Sequence, residues 1–290
     1  VIPPRESPPT GPASGFWCLP AGVLVINLDH RPERWQRFLA EAAVHAPAQT
    51  FERLPAVRGV ELPGFGHRPW FRHRARDGVW AARAGCVLSH RRALETAREK
   101  GWPSVLILED DAVFTPAFRD CGARLAAALN ATSWDLCYLG FTSPIGPTRL
   151  LTELGHGHGL HEIHGAATTH AYLVRAGLYD ALLTALPRPD GIWAWLAVNR
   201  AIDRWYARSL SPRWRVLAVS PSAVVQAESV SDITGKPTDY GTNALFRAGL
   251  PARALRPGAY RLLGRLRYCR LKIAFTADWA RGLAKRLAGF

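Results

Sequence analysis

The sequence predicts an α/β protein built on a mostly parallel central sheet flanked by helices. Three observations carry this. Apolar strand-like runs alternate with helical patterns from residue 22 to 140. The run Val105-Leu106-Ile107-Leu108 passes directly into Glu109-Asp110-Asp111. A length of 290 residues with 48% apolar content is enough to bury a full core. Side chains alternate along a strand, so an unbroken apolar run suits a strand covered on both faces. The acids fall where that strand leaves the sheet, the end at which open α/β folds bind ligands. Three carboxylates there repel one another and are costly to desolvate unless a cation compensates. Hard oxygen ligands of this kind suit Mg²⁺ or Mn²⁺. A solvated acidic turn is the alternative reading.

Taken in order, Gly22 to Leu28 reads as the first strand, with a polar switch at Asn27 and Asp29. A helix begins near Pro32, whose fixed φ suits a first turn, and carries Trp35, Phe38, Leu39 and Ala42. Phe51 to Val57 forms a second strand that Pro55 directs to an edge or a bulge. Gly59 to Asp77 reads as a loop. Ala81 to Glu99 is a helix, followed by the Val105–Leu108 strand, a helix after Pro116 to Leu129, and a strand from Trp134 to Gly140. Thr142 to Gly159 looks like a long loop. Ala171 to Val174 is a short strand, Ala176 to Leu186 a helix, Ile192 to Leu210 a single further helix, and Val216 to Val219 a closing strand. Residues 1–20 read as a flexible N-terminal segment, 21–248 as one catalytic domain and 249–290 as a basic tail.

The formal charge of +14 is concentrated: the segment from Gly249 to Phe290 carries +9 of it. There Leu262, Leu266, Cys269, Ile273, Thr276, Ala280, Leu283 and Leu287 recur at helical spacing, with Arg and Lys around them. A basic amphipathic helix fits an anionic membrane surface, or else docks on protein with its charges in water. Nucleic acid is not the expected partner. No apolar stretch approaches the ~18 residues of a transmembrane helix. The five cysteines show no paired spacing, and Cys86 and Cys137 read as buried free thiols. There is no phosphate-binding glycine loop of Walker or dinucleotide type and no serine-hydrolase elbow. His156, His158, His161 and His164 match no strong zinc spacing and read as solvent-facing loop residues.

Several short segments, in order, resemble glycosyltransferase family 25, which includes bacterial lipooligosaccharide glycosyltransferases and collagen galactosyltransferases. They are Val25-Ile26-Asn27-Leu28-Asp29-His30-Arg31-Pro32-Glu33-Arg34, then Gly85-Cys86-Val87-Leu88-Ser89-His90, then Leu108-Glu109-Asp110-Asp111-Ala112. Ala171-Tyr172-Leu173-Val174, Ile202-Asp203, Gln226 and Ser231-Asp232-Ile233 follow. The resemblance implies a GT-A-type nucleotide-sugar-binding fold, a divalent cation (Mn²⁺ or Mg²⁺) and transfer of a hexose from a UDP-sugar with inversion. It implies that the acidic run stands in for the fold's Asp-any-Asp motif, with Asp111 the leading metal ligand and Asp110 assisting. Asn27, Arg31, Arg34, His90, Glu109 and Asp110 are then the expected nucleotide-sugar contacts.

The same resemblance makes Asp203 the candidate base for the acceptor hydroxyl, with Asp232 its rival. His170, Gln226 and Ser231 are expected on the acceptor side. The acceptor expected is a saccharide or glycolipid of the cell envelope. The location expected is the bacterial cytoplasm, with the tail peripheral on the membrane's inner face. A non-catalytic membrane- or polyanion-binding module and a metal-dependent nucleotidyltransferase are the alternative functions.

Overall fold

The structure is a computed structural model that describes residues 15–46, 49–67, 76–210, 213–227, 229–230 and 237–238. A single turn at Gly15–Cys18 buries Phe16, so part of the segment expected to be flexible is folded onto the core. Then come β1 (Gly22–Asn27), α1 (Pro32–His45), β2 (Glu52–Pro55), α2 (Gly78–Glu99), β3 (Ser104–Glu109), β4 (Ala112–Phe114) and α3 (Pro116–Ala131). The chain continues through β5 (Leu136–Gly140), β6 (Ser143–Gly155), β7 (His158–Ala167), β8 (Ala171–Arg175), α4 (Ala176–Ala185), α5 (Ile192–Asn199) and α6 (Ile202–Ser209). It closes with β9 (Val216–Ser220), β10 (Val224–Gln226), β11 (Ser229–Val230) and β12 (Pro237–Thr238).

Eight strands form one sheet in the order β2-β1-β3-β8-β5-β9-β7-β6. The pairs β1/β2, β1/β3 and β5/β9 are parallel, and β3/β8, β5/β8, β7/β9 and β6/β7 are antiparallel. The expected mostly parallel sheet is therefore corrected to a mixed one, because β8 enters reversed between β3 and β5. The period of two along each strand divides the core. Leu24, Ile26, Val105 and Ile107 face the layer of α2, α4, α5 and α6, whereas Val23, Val25, Leu106 and Leu108 face α1 and α3. The helices start where their sequences allow. Pro32 and Pro116 open α1 and α3, and Asp77 caps α2 by accepting from the Trp80 N–H at 3.1 Å.

Two further expectations are corrected. Thr142 to Gly159 is not a loop; it supplies β6 and the start of β7, a hairpin at the sheet edge. The histidines fall along that hairpin: His156 and His158 lie at its tip, but His164 is buried. The expected helix over Ile192–Leu210 is broken in two at Arg200, whose φ of +70° cannot continue a right-handed helix. The break gives α6 its own N-terminus and places Asp203 in its first turn. Ser231, Asp232 and the basic tail lie outside the described residues. No helix among the described residues is long and apolar enough to cross a membrane.

Candidate active site

A cavity of about 560 Å³ opens beyond the carboxyl ends of β1 and β3. Its walls come from the segment after β1, the loop after β2, the cavity face of α2, the Glu109–Asp111 run, Thr168–Thr169 and the start of α6.

The acids differ in their surroundings. Asp110 is buried, its Oδ2 accepting from Asn27 Nδ2 at 2.7 Å and its Oδ1 from Arg34 Nη1 at 3.3 Å. Asn27 is itself fixed, because its Oδ1 accepts from Arg53 Nε at 2.7 Å. Burial nevertheless raises the Asp110 pKa against the pull of Asn27 and Arg34. Asp111 is pushed further, to about 7, by burial and by the charges of Glu109 and Asp110. Its Oδ2 accepts from Gln226 Nε2 at 3.1 Å, a contact set by the β4/β10 pairing of Ala112 with Gln226. Its Oδ1 is buried with no hydrogen-bond partner among the described residues. A partnerless carboxylate oxygen beside two more carboxylates is what a hard divalent cation would satisfy, so the residues fit such an ion.

Glu109 meets His90, whose ring is buried at the thirteenth residue of α2. Nε2 of His90 lies 3.3 Å from Glu109 Oε1 and 3.3 Å from Thr169 Oγ1. Burial alone would raise the Glu109 pKa, but the His90 hydrogen bond and nearby positive charge bring it below its ordinary value. The Sγ of Cys86 stands one turn before His90, and the ligand atoms of Cys86, His90 and Glu109 all lie within 4.8 Å of one another. These three residues have the capacity to hold one divalent ion. Burial raises the Cys86 thiol pKa well above its usual value.

Local sequence explains this wall. A Cβ on Gly85 would sit 2.3 Å from the Val57 carbonyl, so only glycine lets α2 approach the loop after β2. Ser89 ties the same contact, accepting from Val57 N at 2.8 Å and donating to Gly85 O at 2.7 Å.

At the start of α6 Asp203 accepts from Thr168 N at 3.1 Å through Oδ2 and from Arg204 N at 2.6 Å through Oδ1. Thr168 is held at φ +70°, a costly conformation for a β-branched residue.

The structure thus gathers Arg34, His90, Glu109, Asp110, Asp111, Asp203 and Gln226 around one cavity, with Asn27 bonded to Asp110 behind its wall. Two of the expected site residues lie elsewhere. Arg31 pairs with Glu33 at 2.5 Å on the surface and does not line the cavity. His170 is fully buried, its Nδ1 3.1 Å from Thr168 Oγ1 and its Nε2 3.2 Å from the Val224 carbonyl, which leaves it no face for an acceptor. Burial lowers its pKa, and its contacts support the Thr168 turn. Trp193, Trp195 and Trp205 pack against the core. Cys86 and Thr168 were not singled out by the sequence reading as site residues. The spacing of Cys86 and His90, four apart and hence on one helix face, was the available signal for the first.

The fold and cavity define an α/β protein with a mixed sheet flanked by helices and a carboxylate-rich site at its strand ends. The family model described as Glycosyltransferase family 25 (LPS biosynthesis protein) matches residues 21–139 of the chain. A "Glycosyltransferase 25 family member" of Drosophila melanogaster is 35% identical over 133 residues, covering 41% of this chain and 20% of the relative. An "Inactive glycosyltransferase 25 family member 3" of Homo sapiens is 35% identical over 131 residues, covering 41% of this chain and 21% of the relative. The matched segment thus spans about a fifth of the length of these relatives. A crystal structure of a glycosyltransferase involved in glycosylating the major capsid of PBCV-1 overlaps with a TM-score of 0.40 at 9% identity, covering 74% of this chain and 95% of that one. The expected bacterial cytoplasmic location is corrected by these comparisons, because the curated relatives are proteins of fly, human and mouse.

Proposed function

We propose that the chain is a metal-dependent, inverting glycosyltransferase that takes a hexose from a UDP-sugar in this cavity and passes it to a saccharide hydroxyl. The observation that carries the reading is the buried Asp111 Oδ1, without a hydrogen-bond partner among the described residues, beside Glu109 and Asp110 and within the segment that matches the family model. Asp111, with Asp110 beside it, would hold Mn²⁺ or Mg²⁺, and such an ion offsets the charge of the donor's diphosphate and of the UDP that leaves. Arg34 lines the cavity while bound to Asp110, so its guanidinium is placed for a phosphate oxygen and for the acid that it steadies. Asn27 fixes Asp110, and Gln226 orients Asp111 so that Oδ1 remains the open atom. Inversion needs a base for the acceptor hydroxyl on the side away from the leaving group. Asp203 lines the cavity from the first turn of α6, and the two backbone N–H groups it accepts from keep its carboxylate aimed.

Because a human relative is named inactive, turnover has to be measured. UDP release from a panel of UDP-hexoses with and without saccharide acceptors tests the reading. Asp203→Asn should lower kcat by about 10²- to 10⁴-fold while leaving UDP affinity unchanged. Loss of UDP affinity equal to the loss of turnover would remove Asp203 from the role of base.

A further inference from the structure

We propose that Cys86, His90 and Glu109 form a site for a thiophilic divalent cation, Zn²⁺, distinct from the oxygen-only position at Asp111. The donor set is one sulfur, one imidazole nitrogen and one carboxylate oxygen, a borderline-soft combination that favours Zn²⁺ over Mn²⁺ or Mg²⁺. Asp111 offers only oxygen and is outside the triad, so the two positions select different ions.

The geometry is close to that of an ion site. A tetrahedral Zn²⁺ about 2.0 Å from a nitrogen and an oxygen sets those two atoms roughly 3.3 Å apart. His90 Nε2 and Glu109 Oε1 are 3.3 Å apart. The edges to sulfur, no longer than 4.8 Å, need only a modest turn of the Cys86 side chain, since Cys86 and His90 share one face of α2. Three protein ligands leave one position open toward the cavity that Cys86, His90 and Glu109 all line.

The support behind the imidazole is built as well. The Tyr172 hydroxyl lies 2.9 Å from His90 Nδ1, and the Tyr206 hydroxyl lies 3.4 Å from that of Tyr172, both tyrosines being buried. With Nε2 on the ion, Nδ1–H donates to the Tyr172 oxygen and Tyr172 donates to Tyr206. Such a partner fixes the tautomer of a ligating histidine and turns its ring to the metal. Protons balance: the thiol proton leaves to solvent, and an imidazole proton on Nε2 moves to Nδ1 as the ion arrives. An ion there ties α2 to the end of β3, two elements that otherwise meet at this point through the His90–Glu109 contact alone among the side-chain bonds described.

The test uses the full chain, stripped of metal and titrated with Co²⁺ as the probe, then with Zn²⁺. Thiolate-to-Co²⁺ charge-transfer absorption should grow to one equivalent and be bleached by Zn²⁺. Cys86→Ser should abolish the band and weaken Zn²⁺ binding more than about tenfold, and Tyr172→Phe should weaken binding about tenfold with the band kept. Asp111→Asn should change neither. A band that persists in Cys86→Ser, or is lost in Asp111→Asn, overturns the proposal. X-ray absorption of the Zn²⁺-loaded unmodified chain needs no variant to fold: one sulfur at about 2.3 Å supports the site, and a shell of nitrogen and oxygen alone refutes it. UDP affinity measured on the same samples separates the two readings. No UDP binding with the band intact rejects the donor reading and leaves the zinc site.

Discussion

Asp111 is the residue on which the electrostatics turn. Its carboxyl titrates near 7 because it is buried beside Glu109 and Asp110, against an ordinary value of 3.8. A carboxyl raised by folding gives stability that is complete below the ordinary value and is lost as pH rises through the folded one. In chelator, therefore, thermal stability should fall from about pH 4 to about pH 7 more steeply for the native chain than for Asp111→Asn. Added Mn²⁺ should flatten the native curve, because a cation compensates the ionised form. Parallel curves for the two proteins in chelator would place the titration elsewhere. At this scale the sequence was legible where chemistry is written in consecutive residues, as in Glu109-Asp110-Asp111. It was not legible where partners are far apart in the chain. Nothing in the sequence joins Asp110 to Asn27, 83 residues away, or His90 to Tyr172, 82 residues away.

Among the elements, α2 carries the most of the site, and it does so through a close approach. Gly85→Ala would drive a Cβ to 2.3 Å from the Val57 carbonyl, backbone against helix with no flexible side chain to yield. Overpacking of this kind costs about 1–3 kcal/mol. The loop after β2 would shift with it, and Val57 to Val60 form one cavity wall. The expected outcome is a lower midpoint in denaturant together with weaker nucleotide binding. An unchanged midpoint would mean that the loop gives way freely and the close contact is not a constraint. The elements that sequence reading missed have physical reasons. β6 contains Pro144, Gly146 and Pro147, which argue against a central strand, but it lies at the sheet edge where proline is tolerated. The break between α5 and α6 falls at Asn199-Arg200-Ala201, with neither glycine nor proline to announce it. By contrast β1, β3 and β9 were readable because strands buried on both faces must be apolar throughout.

For the molecule as a whole, the layered fold was legible and strand direction was not. Alternating strands and helices announce covered faces, and both faces of the sheet are covered. Pairing direction depends on which strand enters beside which. The reversal of β8 between β3 and β5 leaves no mark in local composition. That reversal still serves the site: it brings the Thr168–His170 turn, just ahead of β8, against the carboxyl end of β3, where Glu109 N donates to His170 O at 2.9 Å. The central claim is that this end of the sheet binds a nucleotide diphosphate with a cation held by Asp111. Calorimetric titration of UDP into the full chain, in Mn²⁺ and in chelator, tests it most directly. UDP should bind in Mn²⁺ and at least tenfold more weakly in chelator, and Asp111→Asn should bring affinity in Mn²⁺ down to about the chelator value, a loss of roughly 1.4 kcal/mol or more. UDP affinity that ignores both Mn²⁺ and the substitution, or no UDP binding in either condition, would contradict the account.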